Sequence, residues 1–263
     1  MVDRQERADA LVRATLSLGD GDLRARYVAS IVHSSPLDAL AQALDTICER
    51  AEQAEAASRE ALFAIVDALN GDGMDDVIQR LREEAAGASL LALERLIRAP
   101  ARSRSPSSLP PRDRSLSDER EGRGRVVPLG QRKSLARRPD REMLERLLRD
   151  PHPDVIRRCM TNPRLVEDDV VRLAARRPGH PEALAAIARS RWVHRPRVRI
   201  SLVMNPATPL EVVVRLVGLL LRPELTMAAH SPGVAASVRA LCLEHLVRRP
   251  PVDEAEPSKP DLQ

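Results

Sequence analysis

Five arginines crowd around the single tryptophan in the stretch Arg189, Arg191, Trp192, Arg195, Arg197 and Arg199. A guanidinium is a planar, permanently charged fork that matches carboxylate and phosphate oxygens. Arg and Trp are also the residue types enriched where binding energy concentrates. These six residues therefore form the first candidate interaction surface, suited to an acidic partner. The competing reading is packing: Trp192 fills a gap between helices and the arginines point to water.

Other constellations fall short of chemistry. His152, His180 and His230 with Cys159 suggest metal ligands. Each histidine, however, sits in a turn of a recurring pattern, and pattern position accounts for all three. The string from Asp67 to Gly73 approaches a calcium loop, but with Gly73 as the turn glycine Ala68 stands where the first carboxylate belongs. Gln79 stands where the bidentate glutamate belongs. A helix closed by Asn70-Gly71 is the simpler account, since both tolerate left-handed backbone. Asp168-Asp169 lies early in a helix, where acids favour the dipole. No phosphate loop, dinucleotide glycine fingerprint, nucleophile elbow or HExxH is present. No catalytic residue, cofactor ligand or metal ligand is assigned, and the chain is expected not to be an enzyme.

The elements that must position these residues are helical. Aromatics make up 1% of the chain, and Tyr27, Phe63 and Trp192 are all there are. Apolar material is mostly Ala, Leu, Val and Ile, which suits close-packed helices better than a sheet. An all-α fold is predicted. Residues 1–100 read as a helical domain with stripes such as Leu40, Leu44 and Ile47 at helical spacing. Ser35 is expected to cap a helix begun by Pro36, and the charged run Glu49 to Glu60 to lie on its wet side. Residues 101–128 are rich in Ser, Pro and Arg and nearly free of apolar side chains, so a disordered linker is predicted. Residues 129–249 form the second domain, and 250–263 a disordered tail.

That second domain repeats a phrase. Turns at Asp150-Pro151-His152-Pro153, Pro178-Gly179-His180-Pro181 and His230-Ser231-Pro232-Gly233 alternate with short apolar stripes, and Asn162-Pro163 and Asn205-Pro206 act as matching stops. Proline limits each helix to about a dozen residues. Such helices are unstable singly and need stacking, so a short α-solenoid is predicted. The phrases NPRLVEDDVVRLAARRPGHPEALAAIA and RVRISLVMNPATPLEVVVRLV resemble the leucine-rich repeat variant family and, more loosely, HEAT-like repeats. That resemblance implies alternating α and 3₁₀ helices in a right-handed superhelix, and a role in interaction rather than catalysis. Pro139 and Pro163 are 24 residues apart but Asn162 and Asn205 are 43 apart, which implies one enlarged unit.

Charge is divided unevenly. Residues 1–100 carry 11 Arg against 18 carboxylates, a formal −7, and the remainder carries +11. Lys133 and Lys259 are the only lysines. A basic second half admits nucleic-acid backbone binding as an alternative, although the scarcity of aromatics opposes base stacking. Three dispersed cysteines suggest no disulfide framework. No signal-like or membrane-spanning run occurs, so a cytoplasmic location and no membrane partner are expected. The expected function is a protein–protein interaction scaffold. Whether Arg157, Arg172, Arg176, Arg195 and Arg199 gather in one groove or scatter is the discriminating question.

Overall fold

The computed structural model describes residues 2–71, 73–99, 120–121, 125–150 and 152–250. The fold is all-α. The one β pairing among the described residues is a two-residue antiparallel ladder, Arg120–Glu121 with Arg125–Val126. The rest of the expected linker up to residue 124, and the tail from 251, lie outside the described residues.

The first half comprises α1 (Val2–Leu16), α2 (Gly21–Ser34), α3 (Leu37–Glu52), α4 (Ala56–Leu69), α5 (Asp75–Gly87) and α6 (Leu91–Ile97). Leu40, Leu44, Ile47 and Ala51 turn one face of α3 inward, and α1, α4 and α6 pack around it. The start of α6 is held from inside: buried Asp45 accepts the backbone N–H groups of Ala92 and Leu93, both at 2.9 Å. These are donors that a helix start leaves unpaired.

Three local expectations are corrected. Ser35 closes α2 and Pro36 takes the capping position of α3, because these two extended residues are all that joins the helices. Glu52 is not on a wet face but buried, paired with Arg95 at 2.9 and 2.6 Å. The paired fork of Arg95 on α6 supplies the donors that make its burial tolerable. Asn70 closes α4 in right-handed geometry (φ −85°), and Gly73 carries the positive φ of that turn.

The second half is a stack of three helical units. The first holds α7 (Leu129–Leu135), α8 (Arg141–Leu147) and α9 (Pro153–Cys159). The second holds α10 (Glu167–Ala175), α11 (Pro181–Ala188), a 3₁₀ turn (Arg191–His194) and α12 (Pro196–Met204). The third holds α13 (Leu210–Leu219), α14 (Arg222–His230) and α15 (Ala236–Arg248). Proline occupies the first turn of α9, α11, α12 and α14, where its missing N–H costs nothing. Asp140 caps α8 as expected, accepting Met143 N–H at 3.1 Å.

One side-chain clamp closes each unit. Asn162 Nδ2 donates to the carbonyls of Ala136 and Arg138, both at 2.8 Å, just past α7. Asn205 Nδ2 donates to Ala174 and Arg176 at 2.7 and 2.9 Å, at the end of α10. Arg249 does the same to Gly218 at 2.7 Å and to Leu220, at the end of α13. These carbonyls are the orphan acceptors of a helix terminus, buried away from water. The clamps stand 43 and 44 residues apart. The Asn162–Asn205 interval is thus the period of the stack rather than an irregularity.

The two halves share one apolar core. Helix α13 is buried from Val212 to Leu219 and packs against α4 and α6. A methyl group added to Gly218 would stand 3.1 Å from Leu96 Cδ1, so the glycine admits close approach. At the rim, Arg98 pairs with Glu244 at 2.9 Å.

Candidate functional site

The arginine–tryptophan stretch is mostly a joint. Trp192 is buried, and its Nε1–H donates to the Met160 carbonyl at 3.0 Å. Arg199 is also buried, donating to the carbonyls of Val193 and His194 at 3.1 and 2.9 Å. Its guanidinium lies 4.9 Å from the Phe63 ring centroid on α4. Both residues therefore leave the candidate surface: the end of α9 and the 3₁₀ turn each present carbonyls that need donors, and the indole supplies the first and the guanidinium the second. Next to them His194 Nε2 lies 2.8 Å from Asp67 Oδ2, which raises the pKa of the imidazole.

The remaining members stay exposed. Arg191 lies over the Trp192 ring at 5.1 Å. Arg197 pairs with Asp168 at 2.7 Å, and Arg195 stands 3.9 Å from Glu167. Arg189 is exposed after α11. Arg157 sits apart on α9, 3.9 Å from Asp154. Of Arg157, Arg172, Arg176, Arg195 and Arg199, only Arg172 and Arg176 gather in one groove.

They line a cleft of about 240 Å³ between the end of α8 and α10. Helical spacing puts Asp169, Arg172 and Leu173 on one face of α10, with Arg176 just past its end, while Glu145 of α8 and the following Leu148 and Arg149 line the other side. Leu148 and Leu173 are buried and form an apolar floor. Asp169 is buried and taken by Arg141 in a two-pronged pair, with Arg172 at 2.8 Å and the Val166 N–H at 3.2 Å. Arg141 beside it holds the Asp169 carboxyl below the usual range, so it remains an anion committed to its own neighbours. Glu145 is paired with Arg141 as well, at 2.8 Å.

Arg149 and Arg176 have no ion pair or side-chain hydrogen bond among the described residues. With exposed Arg172 they give the cleft three guanidinium groups around leucine. A smaller cavity of about 30 Å³ opens beside it and shares Arg149, Leu173 and Arg176. His180 lines that cavity, and its buried Nδ1 has no partner. A space of this size admits a small group or a water or two.

The arrangement is suited to binding. Among the described residues no three of His, Cys, Asp and Glu stand together as a metal site; Asp72 of the calcium-like string lies outside them. Cys48, Cys159 and Cys242 are separately buried thiols. Among the described residues no helix is long and apolar enough to cross a membrane. Arg149 escaped notice in the sequence because nothing local marks it; its place opposite Arg172 and Arg176 arises only when α8 and α10 are brought side by side. Comparison of the chain with family models, curated proteins and solved structures finds no match.

Proposed function

We propose that the protein is a cytoplasmic, non-catalytic binding scaffold that takes an acidic segment of another protein in the cleft between α8 and α10. The carrying observation is the pair Arg149 and Arg176, which have no partner of their own among the described residues and flank the Leu148–Leu173 floor. Apolar floor and unpaired donors together recognise an acidic segment with apolar residues: burial supplies affinity, and charge supplies orientation and rate. The likeness of the repeat phrases to leucine-rich repeat variant and HEAT-like arrays supports the same reading, since fold and function are separable but such arrays act mainly as surfaces. The Leu148–Leu173 floor takes apolar side chains, which a nucleic-acid backbone does not offer, and so favours a protein segment as the occupant.

A photo-crosslinking residue at Glu145 tests this. A protein adduct should form, vanish in Arg149→Glu/Arg176→Glu, and persist in Arg157→Glu. An adduct indifferent to the cleft charges contradicts the proposal. Salt-dependent oligonucleotide binding lost in the same double variant would favour nucleic acid instead.

A further inference from the structure

The third unit of the stack displays an occupied version of the same face. Val170-Val171-Arg172-Leu173 on α10 and Val213-Val214-Arg215-Leu216 on α13 are identical in sequence and 43 residues apart. Each stands in the helix whose end is clamped by Asn205 or Arg249, so the two segments are equivalent in the stack. Their surroundings differ. Arg215 is 8% exposed and donates Nε–H to Asn70 Oδ1 at 2.6 Å. Asn70 is the capping residue at the C-terminal end of α4, and Leu96 of α6 lies against Gly218. On α10 the side chain of Arg172 is 72% exposed, and Ala175, in the place of Gly218, is exposed too.

We infer that the open face of α10 is a docking site for an amphipathic helix of another protein whose last turn carries carboxylates. This rests on the scaffold reading and names its occupant. On α13 the chain itself supplies the answer: the arginine of this motif is met by the C-terminal end of a helix. That end carries the negative pole of the helix dipole, which a guanidinium favours. The cleft beside α10 adds Arg149 and Arg176, whereas α13 ends in Leu219 and Leu220. The occupant of α10 therefore needs charge where α4 needs only an amide, and carboxylates paired with guanidinium forks supply it. Leu148 and Leu173 take the apolar stripe of the same helix, the usual division of labour when a helix lies in a groove.

The probe is a labelled, hydrocarbon-stapled peptide of residues 56–71 carrying Asn70→Asp, titrated by fluorescence anisotropy into the full chain, where α13 is already covered by its own α4. Saturable binding is expected, weakened about tenfold or more by Arg149→Ala/Arg176→Ala, a loss of at least 1.4 kcal/mol. These side chains are not in the core, so the variant's circular dichroism should match the parent. An unstapled peptide with Ala64→Pro should bind about tenfold more weakly still. Equal binding of the proline peptide overturns the helical occupant. Binding that ignores Arg149→Ala/Arg176→Ala but is lost in Arg215→Ala places the peptide on α13 and also overturns it. If no peptide binds while the Glu145 crosslink forms and depends on charge, the helical occupant falls and the scaffold stands. Loss of that crosslink removes the scaffold reading itself.

Discussion

Asn70 Oδ1 accepts the Nε–H of Arg215 at 2.6 Å, across 145 residues of chain. Burial lowers the Arg215 pKa to about 10, so the cation is held where water scarcely reaches it. The amide carbonyl accepts its hydrogen bond and ties α4 to α13. Removing one partner of a buried charged hydrogen bond leaves the other uncompensated. Asn70→Ala should lower stability by about 2–3 kcal/mol, and Asn70→Asp should recover most of it. Urea unfolding measures both. A loss under about 0.5 kcal/mol for Asn70→Ala would show that water replaces the amide freely.

The clamps make a second prediction. Asn162 and Asn205 each bridge two carbonyls at the end of the first helix of the unit they close, and each Oδ1 accepts an N–H two residues on, Arg164 at 2.8 Å and Ala207 at 3.0 Å. Asn→Ala at either site strands several backbone groups, at about 2–4 kcal/mol. Arg197→Ala, which removes an exposed pair with Asp168, should cost under about 1 kcal/mol. Equal effects in the two classes would remove the clamps from the account.

Much of the scaffold is visible in the sequence, because the cues involved act over a few residues. Proline at the first turns of α9, α11 and α12, Asp140 as a cap and the spacing of Leu40, Leu44 and Ile47 all specify local geometry. The Asn-Pro stops were visible as stops, but their reach was not: Asn205 acts on Ala174, 31 residues back. The same limit governs the surface. Arg199 looks like any exposed arginine until the 3₁₀ turn presents it with two carbonyls, and Arg149 joins Arg172 and Arg176 only through the stacking of units. Arg215 and Arg172 share one motif, yet one is buried and the other open, since α4 and α6 of the first half pack on α13.

Two histidines should titrate in opposite senses. Burial depresses the His245 pKa from 6.5 to about 3, reinforced by Arg249 and Arg95. Its Nδ1 lies 3.8 Å from Glu52, but that carboxylate is already committed to Arg95, so burial prevails. The unfolded chain then binds a proton the folded one refuses between about pH 6.5 and 3. Stability present above pH 6.5 is lost as pH falls through that window, by up to about 1.4 kcal/mol per unit. His194 is the reverse: the Asp67 hydrogen bond raises its pKa, so its contribution is present below 6.5 and lost as pH rises through the folded value. Urea midpoints at pH 5 and 7 should converge in His245→Leu and diverge further in His194→Ala. No change of slope in His245→Leu would mean that the imidazole reaches solvent.

The thiols report on the same core. Burial raises Cys159 to about 12 and Cys242 to about 11, and Cys48 higher still, with Asp45 adding to it. Since the thiolate is the reactive form, an aromatic disulfide reagent at pH 8 should label none of the three in the native chain and all three in urea. Rapid native labelling of any one would mean that the helices around it part readily.

Hydrogen–deuterium exchange of the full chain, with and without the captured partner, tests the central claim most directly. The account predicts new protection over residues 145–149 and 167–176, with little change across 189–199. Protection confined to the arginine–tryptophan stretch, or none along α10, would contradict it.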